Sequence, residues 1–125
     1  MDCEECGGPV VAYEVPESLR EYVDREYAAT CTRCLALSDA SFGGEPDFSN
    51  VSDAFPEGEA GAALALALGL LDSLALNRGA IENLLEAVER GGADPLLVLD
   101  RLASQGNVRL HFDASRRRHQ LEQLL

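Results

Sequence analysis

The chain has 125 residues, with 22 acidic side chains against 10 basic ones, a net charge of -12. Its hydrophobic share of 46% is enough for one packed domain, or for one small module docked on another. The acid is densest in residues 1–57, which argues against phosphate-backbone binding by that half, because contact with a polyanion needs cations to replace its counterions.

All ten bases are Arg, and no Lys occurs anywhere. An acidic surface with Arg as its only cation matches a protein that stays hydrated in strong salt, where self-repulsion is screened. The acid is uneven. Residues 1–57 hold 13 acids and 3 Arg, whereas residues 58–125 hold 9 acids and 7 Arg.

The first residues, Met1-Asp2-Cys3-Glu4-Glu5, have neither the basic start nor the apolar stretch of a signal peptide. The expected location is therefore the cytoplasm, where thiols stay reduced. Four cysteines follow in two C-x-x-C pairs, Cys3/Cys6 and Cys31/Cys34, with 24 residues between the pairs. Two such knuckles can each give two sulfurs to one tetrahedral metal. The expected cofactor is one structural Zn²⁺ held by Cys3, Cys6, Cys31 and Cys34. Four thiolates leave no coordination position for water, so the site is expected to be structural rather than hydrolytic.

Gly7, Gly8 and Pro9 read as the turn leaving the first knuckle. Pro9 to Val15 alternates and reads as a strand. Pro16 to Val23 reads as a short helix with Leu19, Tyr22 and Val23 on one face. Ala28 to Thr30 reads as a return strand into the second knuckle, and Leu35-Ala36-Leu37 as an extended exit. Residues 1–39 thus form a first module.

Residues 40–57 read as a linker rich in Gly, Pro, Ser and Asp. It holds Phe42, Phe48 and Phe55, which are expected to pin it along the helical part. Residues 58–125 form a helical module. Glu59 to Asn77 reads as one Leu/Ala helix buried on most sides, with a turn at Asn77-Arg78-Gly79. Ala80 to Arg90 is amphipathic, with Ile81, Leu84, Leu85 and Val88 inward, and stops at Gly91-Gly92. Asp94-Pro95 starts a further helix whose Leu96, Leu97, Leu99 and Leu102 are expected in the core. Val108 to Phe112 reads as a short strand or an extended connector. Asp113 caps a last helix.

The expected fold is α+β, mainly α. A small N-terminal zinc ribbon of two or three short strands and one inserted helix packs against a C-terminal bundle of about four helices. The apolar run Ala60 to Leu71 is 12 residues, short of the roughly 20 a membrane span needs.

Other chemistry is sparse. His111 and His119 lack ligand spacing. Arg116-Arg117-Arg118 is the one basic cluster, and it reads either as an anion contact or as a solvated face pairing with Glu82, Glu86, Glu89 or Glu122. No GxSxG, P-loop or HExxH occurs, so no enzyme is expected. Iron in a rubredoxin-like site is the rival metal, although Leu35 stands after the second pair where that pattern has Gly.

The CxxCGG and CxxC pairs, the apolar helix, the absence of Lys and the Leu-rich tail resemble an uncharacterised family of small haloarchaeal double-CxxC zinc-ribbon proteins. Val15 to Arg20 and Asp94 to Leu102 extend the likeness over nearly the whole chain. The first knuckle departs from the wider group in lacking Pro after Cys3. The resemblance implies a structural metal at the four cysteines and no assigned activity. The expected role is a non-enzymatic adaptor with a protein partner. The alternatives are a nucleic-acid-associated regulator of transcription or translation or, if the metal is iron, a rubredoxin-like electron carrier, and the Leu-rich helices offer a surface for a homodimer.

Overall fold

A computed structural model of the chain describes residues 2–125. Three short antiparallel strands stand in the order β1-β2-β3, followed by a helical remainder. β1 (Val10–Glu14) and β2 (Tyr27–Cys31) pair with Val11 opposite Thr30, and β3 (Leu37–Asp39) adds with Leu37 opposite Thr30. The connection from β1 to β2 carries a 3-10 turn, Glu17–Leu19, and the one-turn helix α1 (Arg20–Val23). Leu19 is buried, with Tyr22 and Val23 packed behind it, as the spacing predicts.

The helices are α2 (Gly58–Gly69), α3 (Leu74–Arg90), α4 (Pro95–Ser104) and α5 (Ala114–Glu122). The architecture is the mainly helical α+β fold expected. Every residue from Ala60 to Gly69 is buried within the chain. One buried cluster joins Tyr13, Val15 and Leu35 to Leu64, Leu84 and Leu102.

α2 is shorter than expected. It ends at Gly69 rather than Asn77, and a 3-10 turn at Leu71–Ser73 leads into α3. Gly69 lies so close to β3 that a Cβ there would sit 2.5 Å from Leu37 Cβ. The chain then turns outward because its residues turn polar: Asp72 and Arg78 cannot follow Leu68 into the core. The expected turn at Asn77-Arg78-Gly79 is a kink inside α3 instead. Asn77 leaves helical geometry at φ -116°, and its Nδ2 donates to the Ser73 carbonyl at 3.0 Å. No single helix among the described residues is long and apolar enough to cross a membrane.

Three apolar side chains depart from expectation. Leu76 is 88% exposed, because it lies in the first turn of α3, ahead of Ile81 where that helix enters the core. Leu97 is 57% exposed, because α4 buries Pro95, Val98, Leu99 and Leu102, the i, i+3, i+4, i+7 set that leaves Leu97 outside. Phe42 is 66% exposed and pins nothing. Phe48 and Phe55 do pin the linker: their ring centroids lie 5.0 Å apart, and Tyr13 meets Phe48 edge-on at 5.1 Å. Gln105 adds a bond from Nε2 to the Val51 carbonyl at 3.0 Å.

α4 is capped as the sequence predicts, with Asp94 Oδ1 accepting from the amides of Leu96 and Leu97. Asp113 Oδ1 likewise accepts from the Arg116 amide at the start of α5. Val108 to Phe112 is the extended connector rather than a strand.

Candidate metal centre

Both cysteine pairs sit on turns with the same hydrogen bonds. In the first, the Gly7 amide donates to the Cys3 carbonyl at 2.9 Å and the Cys3 amide to the Gly8 carbonyl at 2.8 Å. In the second, the Leu35 amide donates to the Cys31 carbonyl at 3.1 Å and the Cys31 amide to the Ala36 carbonyl at 3.0 Å. The turn needs a left-handed residue just after each pair. Gly7 supplies it at φ 76°, where glycine meets no Cβ penalty. Leu35 supplies it at φ 62° despite its side chain, and that side chain is fully buried. The Leu that breaks the sequence pattern therefore does not break the geometry.

These turns bring the four sulfurs together. Cys3, Cys6, Cys31 and Cys34 place their Sγ atoms within 4.8 Å of one another. Cys6 Sγ lies 3.4 Å from Cys31 Sγ, and Cys3 Sγ lies 3.7 Å from Cys34 Sγ. A disulfide requires about 2.05 Å, so these are not bonded pairs. Four sulfurs about 2.3 Å from a central tetrahedral ion would stand roughly 3.8 Å apart. The donor set and its spacing fit a metal ion.

Amides surround the sulfurs. Arg33 N and Cys34 N each lie 3.4 Å from Cys31 Sγ. The Gly8 amide pulls the Cys6 thiol below its usual range, helped by the neighbouring sulfurs. Burial pushes the Cys31 and Cys34 thiols up, against the pull of amides from Cys34 and Arg33 in one case and Ala36 in the other. Deep thiols of this kind hold their protons unless a cation displaces them, which is how metal binding couples to proton release.

The cluster is exposed on one side only. Cys31 and Cys34 are buried, Cys3 is half-buried and Cys6 faces solvent. Arg33 and Arg109 line the shallow pocket beside Cys6. Four thiolates around a divalent ion would leave a net double negative charge, which cationic side chains at this opening would favour.

Sequence reasoning placed all four sulfurs but missed their supports. Arg109 donates its amide to the Arg33 carbonyl at 2.8 Å, and His111 donates its amide to the Cys34 carbonyl at 3.0 Å. Nothing in the local sequence around Val108 to Phe112 signals this, because the partner lies some 75 residues away. The ring of His111 bonds the Leu68 carbonyl through Nε2 at 2.9 Å. His119 is exposed. Neither histidine belongs to the sulfur cluster.

Arg118 forms ion pairs with Asp100 and with Glu122 of its own helix. Arg117 instead bonds neutral oxygens, those of the Gln120 side chain and the Asp72 backbone.

Fold and site thus define a small α+β protein with a four-cysteine cluster able to hold a metal ion. The chain belongs to a family described as "Family of unknown function (DUF6276)", whose model matches residues 2–125. Comparison with curated proteins and with solved structures gives no match.

Proposed function

We propose that the chain is a non-enzymatic protein in which one zinc ion, held by Cys3, Cys6, Cys31 and Cys34, fixes the surface of a protein-interaction adaptor. The observation that carries this reading is the convergence of four Sγ atoms from two turns with matching hydrogen bonds. Four thiolates complete a tetrahedral shell, so zinc there braces the fold and offers no position for a reacting water. Cys31 and Cys34 are buried, and the ion would tie the first cysteine turn to the second, which Arg109 and His111 hold from the C-terminal part.

Zinc is favoured over iron because closed four-thiolate cages are its usual structural sites. Leu35 has no bearing on that choice, since it adopts the conformation of Gly7. Large apolar side chains left in solvent at Phe42, Leu76 and Leu97 are where a partner contact would be sought. The acidic, Lys-free composition accords with a haloarchaeal cytoplasm. Affinity capture from a native high-salt lysate tests the adaptor. A stoichiometric protein partner is expected, and its loss on Leu76→Ser or Phe42→Ser would locate the contact. Repeated recovery of the bare chain would refute it.

A further inference from the structure

The beginning of α3 and the face of α5 enclose a groove of about 580 Å³, within the range of small-molecule sites. Its charge is opposite to that of the whole chain. Arg78, Arg116 and Arg117 line it, and Asp72 is the one acidic residue among its walls. In a chain of net charge -12 that holds only ten Arg, three converge here.

Ordinary ion pairing does not account for them. Arg116 has no salt bridge among the described residues, whereas its neighbour Arg118 has two. Arg117 bonds only neutral oxygens. Arg78 reaches Glu82 at 3.5 Å with both side chains well exposed, a contact that adds little. Beside these cations lie Leu74, Leu124 and the exposed Leu76. Guanidiniums next to one exposed and two half-buried leucines suit a ligand with one anionic head and a short apolar body.

We infer that this groove binds a small amphipathic anion with a single head group, an acyl carboxylate or its phosphate counterpart. The head group sits among Arg78, Arg116 and Arg117, and the chain lies on Leu74, Leu76 and Leu124. A polyanion is disfavoured, because the surface beyond the groove carries the net negative charge and repels every further phosphate. The site lies on the helical part and stands apart from the sulfur cluster, so it does not depend on the metal reading.

Titration of the isotopically labelled full chain with octanoate, followed by amide chemical shifts, tests the inference. Saturable shifts confined to residues 72–78 and 116–124 are expected. Octyl phosphate in place of octanoate tells which head group is preferred, and saturable binding of either supports the site. Octanol, which lacks the charge, and inorganic phosphate, which lacks the chain, should each bind roughly tenfold more weakly. The double variant Arg78→Ala/Arg116→Ala should weaken octanoate binding by a similar factor while thermal unfolding is unchanged. Equal binding of octanol, equal binding of inorganic phosphate, tighter binding of a single-stranded oligonucleotide, shifts elsewhere or no saturation would each overturn it.

Discussion

The backbone amide of Arg109 donates to the carbonyl of Arg33 at 2.8 Å. This bond ties the connector before α5 to the middle of the second cysteine turn, and His111 repeats the tie one step further on. The C-terminal third of the chain therefore helps to shape the turn that presents Cys31 and Cys34. Arg109→Pro removes the amide and should cost about 2 kcal/mol. Arg109→Ala keeps the amide and should cost little. Denaturant unfolding of the two variants separates backbone from side chain, and equal losses would count against the tie.

Leu35 holds a left-handed backbone that costs roughly 1–2 kcal/mol for a residue with a Cβ. Its buried side chain outweighs that cost, since emptying such a site typically loses about 2–5 kcal/mol. Leu35→Gly should thus destabilise the protein by roughly 1–3 kcal/mol, despite relieving the backbone. A gain in melting temperature would show that strain dominates.

Tyr13 donates to or accepts from Thr30 Oγ1 at 2.9 Å in the sheet's buried face. Burial pushes its hydroxyl up to about 12, against 10.0 for a free tyrosine. The folded form then keeps the proton after the unfolded form has released it. The stabilisation is complete below pH 10.0 and is lost as pH rises towards about 12. Tyr13→Phe should flatten that alkaline loss, and should cost about 1–3 kcal/mol at neutral pH by stranding the Thr30 hydroxyl. Unfolding measured across alkaline pH in both proteins checks the sign.

Two glycines separate packing from propensity. A Cβ at Gly69 would meet Leu37 Cβ at 2.5 Å, whereas one at Gly79 meets nothing within 4 Å. Gly69→Ala should destabilise by about 1–3 kcal/mol. Gly79→Ala, inside α3, should stabilise by up to about 1 kcal/mol. Opposite shifts in melting temperature are expected.

Local chemistry made much of this legible. The cysteine spacing located the four sulfurs, Asp94-Pro95 and Asp113 marked helix starts, and alternation marked β1. What escaped depended on distant partners. The need for glycine at position 69 comes from the approach of Leu37, and the exposure of Leu76 follows from the bend beyond it. The fate of Phe42 could not be told from that of Phe48, because only Phe48 finds Tyr13. Leu35 misled because residue type argued against a conformation that burial enforces.

The central claim is that the four thiols enclose one zinc ion and that it braces a core shared by sheet and helices. Elemental analysis of the native protein, with Cys31→Ser as its pair, tests this most directly. The account predicts one zinc per chain in the native protein, none tightly held in the variant, and a single unfolding transition that moves down as a whole. Metal-free native protein of full stability, or iron in place of zinc, would contradict it.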